Sequence, residues 1–254
     1  SPGADRDSSA PMDAVKFARE VLRFEPDATQ KRVLDRRILR GMLNCTRQWG
    51  KSTVMAVKAL HQAHCYPGTL TLVLSPSERQ SGLLVQKIGR FATRLGVETR
   101  RDGINKISMV FPNKSTIVGL PDNEDKIRGF SDVRLMLVDE AARADDDLYY
   151  AVTPMLNQVD GAIWLLSTPK GRRGFFYREW IGPEAWTRIE VKATECARHS
   201  KKFLDEQRRK MGGRKFREEF LCEFLDDDEA LFPRELIERS IRKDIKPLLK
   251  DFEL

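Results

Sequence analysis

The stretch 45-CTRQWGKST-53 decides the fold. It fits the phosphate-binding loop pattern G-x-x-x-x-G-K-[ST] at Gly50, Lys51 and Ser52, but Cys45 stands at the first glycine and Arg47 lies inside the loop. In such a loop, backbone N–H groups and a helix N-terminus cradle phosphates. Lys51 would then reach the β- and γ-phosphates of ATP, and the Ser52 hydroxyl would bind Mg²⁺. The flanks fit. The apolar run ILRGMLNC (38–45) predicts a strand, and STVMAVKALHQAH (52–64) a helix stopped by Pro67-Gly68. Cys45 through Thr53 (Cys45, Thr46, Arg47, Gln48, Trp49, Gly50, Lys51, Ser52, Thr53) are therefore the candidate nucleotide contacts.

Outward from the loop, strand and helix patterns alternate. TLTLVLS (69–75) reads as a strand, 77–96 as a helix closing at Gly96, and KISMVF and STIVGL as a hairpin turning at Pro112-Asn113-Lys114. VRLMLVDE (133–140), a helix around DDLYYAVTPMLN (146–157) and the strand AIWLLST (162–168) follow. Continuous apolar strands separated by helices predict an α/β fold, a mostly parallel central sheet covered on both faces. Upstream, 12–24 is helical with Asp13 as N-cap, and ATQKRVLDRR (28–37) predicts a second helix. From about residue 198 the chain turns to charged helices, SKKFLDEQRRKMG, RKFREEFLCEFL and RELIERSIRK. The expected organisation is a disordered lead-in over 1–11, a core over 12–197, and a small helical lid and linker over 198–254.

Two further strand ends carry chemistry. Asp139-Glu140 ends an apolar strand. A carboxylate there anchors Mg²⁺, and the one after it can polarise a water for in-line attack on a γ-phosphate. With one strand–helix unit between loop and acids, the pattern specifies P-loop NTPases of the additional-strand, catalytic-glutamate class. Ser167-Thr168-Pro169 ends the next parallel strand, where small hydroxyls can sense the γ-phosphate and relay its loss.

Bulk composition narrows the partners. A net charge of +7 and a pI near 9.3 favour a polyanion. No apolar run approaches the roughly 18–20 residues that span a bilayer. The four cysteines, Cys45, Cys65, Cys196 and Cys222, form no C-x-x-C pair, which suits reduced thiols rather than a disulfide framework. His61, His64 and Cys65 share helical spacing without a fourth ligand, so a structural role is the better reading.

TRQWGKST, LMLVDEAA and LLSTPKGRRGFFY, in that order and at these separations, resemble the large terminase subunit of tailed bacteriophages and prophages, the motor that pumps DNA into capsids. The likeness runs from about residue 24 onward. It implies an ATPase that drives double-stranded DNA into a capsid, works as a homo-oligomeric ring on a portal with a small terminase subunit, and acts in the host cytoplasm. By the same resemblance FEPDATQKRVL holds the adenine-recognition residue, Gln30, and Arg47 contacts the γ-phosphate region in cis. Ser75-Pro76 and Gln80 match the segment after the second strand. Arg128 in KIRGFS is the candidate arginine finger toward a neighbouring subunit, with Arg143 its rival. Family members carry a nuclease domain after the linker. The acidic run 226–229 is not that nuclease, and the chain is expected to be the motor domain alone.

Two other classes compete. A tandem helicase or repair ATPase needs a second RecA-like domain, and a non-hydrolysing DNA-binding scaffold has no use for Glu140. Gripping a duplex without reading sequence calls for Lys and Arg on phosphates. The candidates are Arg100, Arg101, Lys106 and Lys114 around the hairpin, and Lys170, Arg172 and Arg173 after the Ser-Thr-Pro element. Phe175 and Phe176 are expected in the core, because a duplex offers no free bases.

Overall fold

The computed structural model describes residues 11–121, 127, 129–157 and 160–226. One seven-stranded sheet organises them. Its strands are β1 Arg40–Cys45, β2 Leu70–Ser75, β3 Ile107–Val110, β4 Thr116–Pro121, β5 Val133–Asp139, β6 Ala162–Ser167 and β7 Thr187–Val191. Across the sheet they stand in the order β3-β4-β2-β5-β6-β1-β7. All neighbours run parallel except β3, which pairs antiparallel with β4 as the hairpin reading required.

The central strands read as unbroken apolar runs because both faces are covered. Alternate residues enter opposite cores. Leu43, Leu135 and Leu137 pack on one face against helices α3 (Lys51–Cys65) and α4 (Glu78–Arg94). Met42, Met136 and Val138 pack on the other, beneath α5 (Asp146–Asn157) and α6 (Gly174–Ile181). Phe175 and Phe176 are buried in that second core. Gly41 in β1 lies flat under the indole of Trp164, its register partner in β6; a Cβ there would sit 2.5 Å from the ring.

At the N-terminal side, Asp13 caps α1 (Ala14–Lys16), which continues through a wider π turn, Phe17–Val21. Asp27 and Gln30 form a reciprocal capping box at the start of α2 (Ala28–Leu34). The predicted helix over 28–37 stops three residues early. The Asp35 carboxylate accepts from the Arg37 backbone N–H at 2.9 Å, so the chain turns there instead. Two elements escaped the sequence reading. Strand β7 carries Thr, Arg and Glu at the sheet edge, and α6 covers the segment whose Phe175 and Phe176 are expected in the core without an assigned element.

The charged C-terminal segment forms α7 (Lys201–Leu221), capped by Ser200 and broken at Gly212, whose φ of 79° and ψ of 161° are not helical. Its end is pinned to the sheet: Asn44 Nδ2 donates to the Cys222 carbonyl at 2.9 Å, and Cys222 Sγ donates to the Val191 carbonyl at 3.3 Å. The readings that fall on 1–10, on Arg128, and on the linker after Asp226 with its helix over 234–243 lie outside the described residues.

Candidate functional site

The carboxyl ends of β1, β5 and β6 meet because β6 lies between the other two. Open α/β sheets bind ligands at this edge. β1 delivers the loop, and Cys45 is its last extended residue, so the missing first glycine needs no special backbone conformation. Gly50 does: at φ 109° it turns the chain into α3, and Gln48 also adopts a left-handed φ of 62°. The Trp49 carbonyl accepts from Arg198, and His199 Nε2 lies 2.9 Å from the Arg47 carbonyl, so the segment after β7 braces the loop from behind.

Lys51 begins α3 and points at both acids. Its Nζ lies 2.9 Å from Asp139 Oδ1 and 3.2 Å from Glu140 Oε1. Burial alone would pull the ammonium toward neutrality, but the Asp139 and Glu140 charges outweigh it, and its pKa stands above the ordinary lysine value. Burial drives the Cys45 thiol up to about 12, which makes it inert at neutral pH. Glu140 sits in a left-handed conformation (φ 55°, ψ 38°), uncommon for a non-glycine residue and shared with six others among the described residues, Gln48 and Cys222 included.

Arg143 closes the ring of charge. Its Nη1 donates to Glu140 Oε2 at 2.8 Å and to Thr168 Oγ1 at 3.2 Å, while Nη2 donates to Glu219 Oε1 at 3.1 Å. Arg47 holds the same buried carboxylate through Nε at 2.8 Å and Nη2 at 3.1 Å. Burial works against the Glu219 charge, but the Arg47 hydrogen bond, both guanidinium charges and a Thr168 hydrogen bond prevail and lower its pKa. Nothing in the sequence pattern pointed to Glu219, which lies 172 positions from Arg47.

Arg47, Lys51, Glu140, Arg143 and Thr168 border a cleft of about 610 Å³, whose lining is completed by Cys45, Thr46, Gln48, Gly50, Ser52, Gln80 and Lys87. Lys87, also unforeseen, donates to Thr53 Oγ1 at 3.0 Å. Ser167 is fully buried, its hydroxyl without a hydrogen-bond partner among the described residues. Pro169 and Lys170 line an adjoining cavity of about 640 Å³ bounded by Arg47, Arg143 and the Gly212 break. Gln30 stays beneath the loop: its Oε1 accepts from the Asp27 N–H at 3.0 Å, and its Nε2 is buried without a partner among the described residues.

The basic candidates do not converge. Lys106 pairs with Glu78, and Arg101 and Lys106 rim a groove floored by Gly82, Val85, Ile107 and Met109. Arg172 pairs with Asp226 at 3.1 Å, and Arg173 precedes α6. Lys114, in the hairpin turn before β4, and Arg100, bridged to Val110, belong to the opposite end of the sheet.

Phosphate loop, strand-end acids and an intervening strand define a P-loop NTPase fold with the additional strand. Residues 42–239 match the family described as terminase large subunit, T4likevirus-type, N-terminal, and the chain belongs to it. Similar proteins include the terminase large subunit of Thermus virus P23-45, 26% identical over 182 residues. That match covers 62% of this chain and 36% of the relative, so the chain spans about a third of the relative's length. The large terminase ATPase domain of Thermus phage P74-26 superposes with a TM-score of 0.73 at 18% identity, covering 84% of this chain and all of that one. The large terminase of another thermophilic bacteriophage, in complex with ADP, superposes at 0.64 and 13% identity, over 85% of this chain and 54% of that chain. No described helix is long and apolar enough to cross a membrane.

Proposed function

We propose that this chain hydrolyses ATP and couples the hydrolysis to moving double-stranded DNA into a viral capsid, as part of a terminase ring. The observation that carries the reading is Glu140, left-handed at a strand end and held between Lys51 and Arg143 on the wall of the phosphate-loop cleft. The ADP complex of the thermophilic phage terminase and the ATPase domain of phage P74-26 support it.

Each side chain then has a task. The γ-phosphate draws Lys51 and the guanidinium groups of Arg47 and Arg143, whose fixed charges stabilise the negative charge that develops during transfer. Glu140, released from those cations, accepts the proton of the attacking water. The donors at the metal position are hard oxygens, the Ser52 hydroxyl and the Asp139 carboxylate, and they suit Mg²⁺. Mg²⁺ bound there would neutralise phosphate charge. Thr168 touches Arg143 and connects the phosphate position with the loop carrying Lys170, Arg172 and Arg173. Gln30 is the proposed adenine contact; its oxygen is committed to the capping box, which leaves Nε2, buried beneath the loop in this conformation, as the one donor it has to offer.

The working form is a homo-oligomeric ring on a capsid portal in the host cytoplasm, served by a small terminase subunit, with Arg128 as the finger reaching a neighbour's ATP. Arg143 fits a role in its own subunit better, being held by that subunit's Glu140 and Glu219. Glu140→Gln tests the assignment. The variant should bind ATP like wild type and lose turnover by about 10²- to 10⁴-fold in a phosphate-release assay. Unchanged turnover would remove Glu140 from the chemistry.

A further inference from the structure

Four cations line the phosphate-loop cleft, and three of them are held by carboxylates. Lys51 faces Asp139 and Glu140, Arg47 holds Glu219, and Arg143 bridges Glu140 and Glu219. The fourth, Lys87, has no carboxylate within ion-pair distance among the described residues. Its one hydrogen bond among them goes to an uncharged group, Thr53 Oγ1, at 3.0 Å. An anion entering the cleft must displace a carboxylate to engage any of the first three cations. It meets Lys87 without that competition. We infer that Lys87 is a nucleotide-binding residue, a cation supplied by α4 that takes the outer phosphates of a nucleoside triphosphate. The inference rests on the phosphate-binding reading of the cleft and adds to it a residue from outside the loop and the strand ends.

The fold fixes where this lysine stands. Leu84 and Ile88 of α4 enter the same core as Val54 and Val57 of α3, and the two helices pack side by side. Gln80 and Lys87 lie two helical turns apart, on one face of α4, and both line the cleft. Lys87 meets the first turn of α3 at Thr53, the residue after Ser52. The Ser52 hydroxyl is the one expected at a metal between the β- and γ-phosphates. Thr53 therefore tethers the ammonium at the phosphate end of a nucleotide, away from Gln30 and the base. Glu140, Arg143 and Thr168, just beyond the ends of β5 and β6, complete the same cleft. Burial and the Arg90 charge both lower the Lys87 pKa, so its surroundings disfavour a lone cation and favour an incoming negative charge. A compact ammonium on a flexible stem can follow phosphate oxygens into place.

Equilibrium binding of ATP and of adenosine to the 254-residue chain tests this. Lys87→Met keeps an unbranched side chain and drops the charge. It should weaken ATP binding by about tenfold, the scale for one hydrogen bond to a charged group. Adenosine, which brings no phosphate, should bind as it does to wild type. Lys87→Arg should keep most of the ATP affinity. Lys87→Gln carries the same expectation as the methionine variant and serves if that variant folds poorly. A lysine that merely ties α4 to α3 would, when removed, weaken both ligands alike. A folded Lys87→Met that binds ATP as tightly as wild type overturns the inference alone, as does one that loses ATP and adenosine equally. A wild-type chain that binds no ATP overturns both the inference and the reading of the cleft beneath it.

Discussion

Helix α3 buries two lysines two turns apart and treats them in opposite ways. Lys51, at its first position, faces Asp139 and Glu140 and keeps its charge against burial. Lys58 has no carboxylate in ion-pair contact: its Nζ donates to the carbonyls of Val33 at 2.9 Å and Asp35 at 3.3 Å and lies 5.0 Å from the centre of the Trp164 ring, while the Asp35 charge favours and the Arg36 charge opposes its protonation. Burial pushes Lys58 down to about 7. Depth alone thus does not decide the state of a lysine; direct contact with carboxylates does. At the start of the helix that arrangement makes a fixed cation for phosphate. In its middle it makes a cap for the end of α2, the helix whose other end holds Gln30.

The largest effect should come from removing the first lysine. Lys51→Met should lower ATP turnover by at least about 10²- to 10³-fold, the scale for loss of one preorganised charge donor. It should also destabilise the fold by about 1–3 kcal/mol, because two partly exposed carboxylates lose their common partner while solvent still screens them. Turnover assays and thermal melts read the two effects separately. A variant with normal turnover would dissolve the distinction between the two lysines.

Lys58→Met should act on pH dependence and leave the chemistry intact. An unfolded chain keeps this proton up to the ordinary value of 10.5, while the folded chain gives it up at about 7. Between those values the unfolded state binds more protons, so stability rises with pH, with a slope approaching about 1.4 kcal/mol per unit from this one group. The methionine variant should lose that slope between pH 7 and 10 in denaturant titrations. Identical slopes in the two proteins would show that the carbonyl cap keeps Lys58 charged.

How far the sequence reached follows from the same contrast. Lys51, Asp139, Glu140 and Thr168 were legible because each lies at the end of an apolar strand or in a loop whose spacing states its chemistry. The sheet was legible where strands are buried on both faces, as in VRLMLVDE, and not at its edge, where β7 reads T-R-I-E-V and resembles a loop. Lys58 looked like one more polar residue on a helix. Glu219 looked like surface charge in an acidic and basic helix, since only the folded chain brings it to Arg47 and Arg143. Contacts between residues distant in sequence leave no local pattern. The hydrogen-bonding of Gln30 was hidden for another reason: its oxygen is claimed by a neighbour three residues away in a cap that serves α2 itself.

The smallest effect concerns the two ends of α3 as surfaces for DNA. Near the helix start, exposed Lys170 lies in the loop after Thr168 and borders the cavity containing Arg47 and Arg143. At the helix end, Lys114 sits in the hairpin turn whose Asn113 donates to the carbonyls of Ala63 and His64, one sheet length from the cleft. If DNA is gripped where hydrolysis can move it, only the first lysine belongs to the grip. Lys170→Ala should then weaken duplex binding a few-fold whatever the sequence, and reduce the slope of log affinity against log salt by about one, the signature of one lost phosphate contact. Lys114→Ala should change neither the affinity nor the slope. The reverse result would put the DNA track at the hairpin end and detach the Ser-Thr-Pro loop from it, since β5 and β2 stand between β6 and the hairpin strands.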